Sequence, residues 1–247
     1  MAIYAAPDHE VEVWRKADQS PLTAADLAAH HAIVEALQVL TDPPIAIVSE
    51  EDSASQQYRT SCAQFWLIDP LDGTKEFIAK NGEFTVNIAL IDQGKAVLGV
   101  VYAPAIDAMY WGGAGLGAYR QFGEQLDPIR VTGAVPAAPC RVVASKSHLN
   151  AETEQFIAGL GPSDLVQAGS SLKFCRIAEG AADIYPRMAP TCEWDTAAAQ
   201  AVLEGAGGVV LDLRGDPLRY AKPDVLNPSF IAARDPGLIP VSGHPRS

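Results

Sequence analysis

The run Trp66-Leu67-Ile68-Asp69-Pro70-Leu71-Asp72-Gly73-Thr74-Lys75-Glu76-Phe77 decides how the rest of the chain is read. Phe65 to Ile68 is apolar and continuous, which predicts a buried strand. It ends where two carboxylates, Asp69 and Asp72, stand three residues apart, and Gly73-Thr74 follows at an expected helix start. Hard divalent cations take oxygen ligands, so two carboxylates at a strand end can share a pair of them. Pro70 stiffens the link between the acids. Gly73 lets backbone approach closely, and free N–H groups at Thr74 can face a phosphate oxygen. A bare D-x-x-D is most simply an Asx-capped turn. D-P-x-D-G-T directly behind a buried strand is far more specific, and it points to metal and phosphate held together.

The totals bound the rest. A chain of 247 residues, 48% hydrophobic and 19% charged, has the make-up of an ordinary enzyme and can bury a large core. The net charge of -12 argues against a nucleic-acid backbone as partner, since that binding needs clustered Lys and Arg. An anionic substrate stays compatible where bound cations reverse the local field. Cys62, Cys140, Cys175 and Cys192 are widely spaced and read as reduced thiols. The first residues lack the basic and apolar parts of a signal peptide, and no apolar run reaches the roughly 20 residues of a membrane helix. The expectation is a cytoplasmic protein without an integral membrane segment.

Along the chain, Thr23-Ala24-Ala25-Asp26 opens a helix to Leu40, with Thr23 capping and Asp26 returning a carboxylate to the free N–H groups. Capping alone explains Asp26. Ile45 to Val48 is a short strand that delivers Ser49-Glu50-Glu51-Asp52 at its end. If it lies beside the strand ending at Asp69, Glu50 can meet Asp69 and Asp72. Ser53 to Gln64 reads as a mobile polar loop. Glu83 to Ala89 alternates and turns through Asp92-Gln93-Gly94-Lys95 into Ala96 to Tyr102, a hairpin. Met109 to Trp111 is a strand, and the glycines from Gly112 to Gly117 a tight turn rather than a nucleotide loop. Pro, Ala and Gly from Val131 to Pro139 suggest a link between two lobes, 1–135 and 136–247. The second lobe should hold strands at 141–144, 182–185 and 209–211 and helices at 150–158, 171–179 and 194–204, followed by an irregular tail from Pro217. Asp195, in Glu193-Trp194-Asp195-Thr196, is one more acid at a helix start.

These segments together resemble the magnesium-dependent, lithium-sensitive phosphatases of the inositol monophosphatase superfamily, and within it the bacterial 3'(2'),5'-bisphosphate nucleotidases. The resemblance rests on Thr23 to Asp26, Ser49 to Asp52, Trp66 to Phe77, Asn81 to Asn87, Gly169 to Cys175 and Trp194 to Ala198. It implies an α+β fold, a two-lobed α/β/α/β/α layered sandwich. It implies two or three Mg²⁺ per site: one on Glu50, Asp69 and the Leu71 carbonyl, a second on Asp69, Asp72 and Asp195. Glu50 and Thr74 would orient the attacking water, Asp26 would support Thr74 as proton acceptor, and Gly73 with Thr74 would cradle the scissile phosphate. Ser171, Lys173 and Arg187 would join Glu50, Leu71, Asp72 and Asp195 around the substrate.

The implied reaction is removal of the 3'-phosphate of adenosine 3',5'-bisphosphate, giving AMP and phosphate. Inositol-specific members carry an acid where this chain has Arg187, after Tyr185-Pro186. A cationic pair, Lys173 and Arg187, suits a second phosphate better than a neutral polyol. Ser145-Lys146-Ser147-His148 resembles the nucleoside side of the pocket. The rivals are an inositol or sugar monophosphatase of the same superfamily, an aspartyl-phosphate phosphatase, and a nucleotide sensor without catalysis. The aspartyl-phosphate signature is D-x-D-G-T, one residue shorter than the spacing here. The resemblance also leaves two further expectations: peripheral association with an inner membrane, and assembly as either a monomer or a homodimer.

Overall fold

Phe65 and Leu67 face one way along a nine-residue strand while Trp66 and Ile68 face the other, and this alternation sets the layers. The computed structural model describes residues 1–5, 13–15, 21–131, 133, 139–144 and 150–239. After a short helix α1 (Ala2–Ala5), β1 (Val13–Arg15) and β2 (Pro21–Thr23) pair antiparallel and lead into α2 (Ala24–Gln38). β3 (Ala46–Ser49), a 3-10 turn (Ser53–Ser55), α3 (Gln56–Ser61), β4 (Gln64–Asp72) and α4 (Thr74–Ile78) follow. Then come β5 (Thr85–Asp92), β6 (Lys95–Ala103), β7 (Ala108–Gly113), β8 (Gly117–Phe122) and β9 (Gln125–Ile129), so that β3 to β9 make a seven-stranded sheet in chain order. Only its β3–β4 pair is parallel.

The second sheet is built from β10 (Cys140–Ala144), β11 (Ser163–Gln167), β12 (Ile184–Arg187), β13 (Val209–Asp212) and β14 (Phe230–Ala233), ordered β11-β10-β12-β14-β13. Its helices are α5 (Ala151–Gly159), α6 (Leu172–Ala178) and α7 (Ala197–Gly205).

The apolar clusters show five layers. Ile33, Val34 and Leu37 of α2 cover Trp66 and Ile68 on the outer face of the larger sheet. The main core joins its inner face to α6, α7 and the inner face of the smaller sheet, through Phe65, Leu67, Phe174, Val202, Tyr185 and Phe230. Phe156 and Ile157 of α5 cover Val142 and Ile184 on the far side. The order is α/β/α/β/α, as the resemblance implies. α7 is rich in alanine because it lies hard against the larger sheet: a Cβ on Gly99 would stand 2.0 Å from the Ala198 carbonyl oxygen. Phe174, Tyr185 and Phe230 form a ring cluster with centroids 5.3 to 5.8 Å apart. At about 0.5–1.5 kcal/mol per ring pair beyond burial, this pins α6 and therefore the direction of its Lys173.

Several expectations change. β4 does not stop at Ile68 but runs through Pro70 to Asp72, with its register to β5 broken between Asp69 and Asp72. A proline is tolerated in a central strand at such an irregularity, where no ladder N–H is required. The segment 53–64 is no plain loop; it holds the 3-10 turn and α3, anchored by buried Arg59 on Glu193 at 3.3 Å. The tail beyond Pro217 contains β14, an inner strand of the smaller sheet whose four residues are too few to show a period. The expected helix from Trp194 is a 3-10 turn over Glu193–Asp195 followed by α7. The β5–β6 hairpin turns on Gln93 and Gly94, both with positive φ (50° and 71°), the conformation that a two-residue hairpin loop requires.

Candidate active site

The parallel β3–β4 pair brings the first two acids together. Ser49 is registered with Ile68, the Glu50 N–H donates to the Ile68 carbonyl at 3.1 Å, and Glu50 thus leaves β3 beside Asp69. The Glu50 charge bears directly on the Asp69 carboxyl. Asp69 is buried, its Oδ1 accepts the Leu71 N–H at 3.0 Å, and Asp72 follows at the end of β4. Asp72 accepts at Oδ2 from Thr85 Oγ1 and Asn87 Nδ2, both at 3.4 Å. Asp195 arrives from the smaller sheet's side, at the end of the turn before α7, with Oδ2 on the Cys192 N–H at 2.8 Å.

Asp26 does cap its helix, accepting at Oδ2 from the Thr23 N–H (2.7 Å) and hydroxyl (2.6 Å). Its other oxygen, Oδ1, lies 3.2 Å from the Thr74 hydroxyl, which is also 3.3 Å from the Leu71 carbonyl. Capping explains only half of that carboxylate. Gly73 sits before Thr74 with φ of +93°, and a Cβ there would lie 2.3 Å from Ser170 Oγ, so no other residue fits this elbow without displacement.

Glu50, Asp72, Gly73, Thr74 and Asp195 line a cleft of about 290 Å³ together with Lys75, Lys173 and Arg187, while Asp69 is not part of its lining. A smaller recess of about 60 Å³ continues it past Lys173 and Arg187 to Tyr185 and Phe230. Lys173 is buried, its ammonium 5.4 Å from the centroid of the Tyr185 ring. The Arg187 guanidinium is braced by the carbonyls of Ala189 and Pro190, both at 3.0 Å. Ser171 is buried and lines neither cavity; its hydroxyl is engaged inside the protein. The segment Ser145 to His148 lies outside the described residues.

The electrostatics are those of an acid cluster short of positive charge. Burial, then the charges of Glu50, Asp72 and Asp195, hold the Asp69 carboxyl well above the usual range. Burial raises Asp72 as well, against the pull of Lys173. Burial with Asp72 and Glu50 pushes Asp195 up to about 8. Lys173 is brought down to about 8 by burial, with Asp72 opposing. Four carboxylates with hard oxygen donors and a surplus of negative charge fit a divalent cation such as Mg²⁺. Among the described residues no group of three acidic, His or Cys side chains stands ready as a finished cage. Like charges repel, and Asp69 and Asp195 each lean on a backbone N–H instead.

Comparison with known proteins gives the family. Residues 4–241 match the model of the inositol monophosphatase family. The chain belongs to the inositol monophosphatase family. Within it, the chain is 49% identical over 221 residues to a protein of Escherichia coli K12 named 3'(2'),5'-bisphosphate nucleotidase CysQ, covering 89% of this chain and 88% of that one. A CysQ of Buchnera aphidicola is 40% identical over 233 residues, 90% of this chain and 84% of the relative. The crystal structure of CysQ from Bacteroides thetaiotaomicron superposes with a TM-score of 0.81 at 42% identity, over 95% of this chain and 91% of that one. An inositol monophosphatase of Thermotoga maritima shares the fold at 24% identity, with a TM-score of 0.73.

Thr85 and Asn87 on β5, both buried, and the half-buried Ser170 before α6 lie in segments that carry the resemblance, but that reading gives them no role. Alternation on β5 does show Thr85 and Asn87 on one face. Their burial beside Ala89 and Ile91, with Val86 and Ile88 the more exposed set, is the signal that sets them apart.

Proposed function

We propose that this chain is a Mg²⁺-dependent 3'(2'),5'-bisphosphate nucleotidase that hydrolyses the 3'-phosphate of adenosine 3',5'-bisphosphate to AMP and phosphate. The observation that carries the reading is one cleft lined both by acids, Glu50, Asp72 and Asp195, and by the cations Lys173 and Arg187. A monophosphate held through metal on the acids has no use for the cations. A bisphosphate uses both, and a buried ammonium such as Lys173 gains most from an anionic partner.

The residues that would hold two or three Mg²⁺ are Glu50, Asp69, Asp72, Asp195 and the Leu71 carbonyl. When bound, the ions supply Lewis-acid stabilisation of the phosphoryl oxygens and make hydroxide accessible near neutral pH. The chain's own groups then orient the nucleophile. The Thr74 hydroxyl, donating to Asp26 Oδ1 at 3.2 Å, keeps its lone pairs for a proton of the attacking water. As that proton moves to Thr74 Oγ1, the hydroxyl proton passes to Asp26, which a threonine alone could not achieve. Glu50 would orient the same water, and Gly73 and Thr74 would hold the scissile phosphate. Lys173 and Arg187 bind the 5'-phosphate and keep the ester in line. Lithium would inhibit by taking one Mg²⁺ position.

All of these groups come from one chain, so a monomer or a homodimer serves equally. Four free cysteines are in keeping with a cytoplasmic setting. Among the described residues no helix is long and apolar enough to cross a membrane.

The test is phosphate release from adenosine 3',5'-bisphosphate and inositol 1-phosphate, side by side, with Mg²⁺ and with added Li⁺. A lithium-sensitive preference for the nucleotide is expected. Preference for inositol phosphate would overturn the substrate assignment, and release from neither would overturn the enzyme reading.

A further inference from the structure

Asp72 and Asp195 reach the cleft from separate parts of the fold. Asp72 ends β4 in the larger sheet, and Asp195 ends the turn that leads into α7. Two like charges on independent supports do not hold a fixed spacing by themselves. One line of hydrogen bonds runs between those supports. Asn87 on β5 donates from Nδ2 to Asp72 Oδ2 at 3.4 Å and to Ser171 Oγ at 3.0 Å. Ser171 Oγ in turn donates to the Asp195 carbonyl at 2.8 Å.

The proton count closes. The two amide protons of Asn87 serve two acceptors, and the Ser171 hydroxyl accepts one and gives its own. The opposite amide orientation would set Asn87 Oδ1 against the Asp72 carboxylate, so the donor assignment follows from the neighbours. Asn87 and Ser171 are both 1% exposed, and Asn87 Oδ1 has no hydrogen-bond partner among the described residues. A buried amide oxygen left in this way is destabilising, and an apolar residue of like size would avoid it. Stability therefore does not account for an asparagine here.

A second brace lies alongside. Ser170 holds a left-handed φ of +47°, uncommon for a residue with a side chain, and its hydroxyl reaches the carbonyls of Asp72 (2.9 Å) and Glu83 (2.8 Å). The backbone ahead of α6 is thus clamped to the acidic elbow at Asp72–Gly73.

We propose that Asn87 and Ser171 are positioning residues which set the spacing of Asp72 and Asp195 and so govern how tightly the site takes Mg²⁺. The inference rests on the metal reading of the preceding subsection. It moves Ser171 from the substrate contacts implied by the resemblance to a support behind the metal ligands.

The experiment is a calorimetric Mg²⁺ titration of the substrate-free protein and of its Asn87→Leu, Ser171→Ala and doubly substituted forms, with thermal unfolding of each. Leucine keeps the size of asparagine and removes both the donor and the unsatisfied oxygen. Asn87→Leu should therefore hold or raise its melting temperature while its Mg²⁺ affinity falls on the order of 10- to 100-fold, the range for groups that orient metal ligands. The Ser171→Ala loss should be similar and the double loss clearly less than the product of the two singles, because they break one connection. Phosphate release should need more Mg²⁺ for half-maximal rate, with kcat recovered at saturation. Unchanged Mg²⁺ affinity in folded Asn87→Leu and Ser171→Ala would overturn the proposal. So would a fall in kcat that saturating Mg²⁺ does not restore, which would mark a contact with the reacting groups. Absence of Mg²⁺ binding in the unsubstituted protein would instead overturn the metal site itself.

Discussion

Replacing Glu193 by alanine should destabilise the protein by about 4 kcal/mol and loosen Asp195 two residues later. Glu193 is fully buried, and four donors converge on its carboxylate: Lys222 Nζ at 2.5 Å, the Lys222 and Ala221 N–H groups at 3.1 Å each, and Arg59 Nη1 at 3.3 Å. Alanine leaves two half-buried backbone donors without acceptors, at about 1 kcal/mol each, the lower end of the range for an unsatisfied group. Breaking a fully buried ion pair costs about 3–5 kcal/mol. Here Arg59 keeps the carbonyls of Lys222 and Pro223, and the Lys222 side chain, 26% exposed, can turn to water, so about 2 kcal/mol is the better figure for the ionic part. The sum corresponds to a fall of roughly 8–16 °C in melting temperature for a chain of this size. Urea unfolding followed by fluorescence and circular dichroism checks it. The double variant Arg59→Met with Glu193→Leu, which removes both charges, should lose much less than the two single losses together. A Glu193→Ala loss below about 1 kcal/mol would refute the reasoning, because two backbone donors and the Arg59 ion pair lose their acceptor together.

Three further outcomes follow from the site and its frame. Asp69→Asn should abolish phosphate release while the far-UV circular dichroism stays native; near-normal turnover would remove Asp69 from the metal ligands. Arg187→Glu should lower kcat/KM for adenosine 3',5'-bisphosphate by about 10- to 100-fold, the worth of a charge-assisted contact, and change a monophosphate by less than about threefold; equal losses would refute a second-phosphate role. Asp183 is buried under Arg141, whose Nη2 stands at 2.7 Å, and beside Arg234 at 3.2 Å. Burial alone would raise its carboxyl, but the Arg141 hydrogen bonds and the Arg234 charge outweigh it and hold the pKa below the usual value. A lowered folded pKa stabilises above the unfolded value of about 3.9 and is lost as pH falls through the folded one. Acid unfolding should therefore steepen below about pH 4, and Asp183→Asn should flatten that slope; an unchanged slope would remove Asp183 from it.

Legibility in the sequence followed the range of each interaction. The strand at 65–68, the β5–β6 hairpin and the capped helix from Thr23 depend on neighbours within a few residues, and each was readable. β14 was not, because four residues of an inner strand carry no period and its place between β12 and β13 is settled by partners about twenty and fifty residues upstream. α3 was hidden for a similar reason. Gln56 to Ser61 is polar, and what orders it is Arg59 meeting Glu193, 134 residues away.

The acids show the same division more sharply. Asp26, Glu50, Asp69, Asp72 and Asp195 stand out one by one as acids at element ends, yet each has an adequate local explanation in capping or turn formation. What local roles cannot supply is a reason for burying several of them together. Asp69 and Asp26 are each 1% exposed, and like charges in a low-dielectric site repel far more than in water. Only the parallel register of β3 on β4 and the docking of the α7 turn bring the site acids together. That cost is acceptable if the acids share a cation, because Lys173 and Arg187, which line the same cleft, still leave the carboxyls of Asp69, Asp72 and Asp195 raised. A cleft lined by acids that need a cation and by two cations therefore suits bound metal together with a substrate that has two anionic ends.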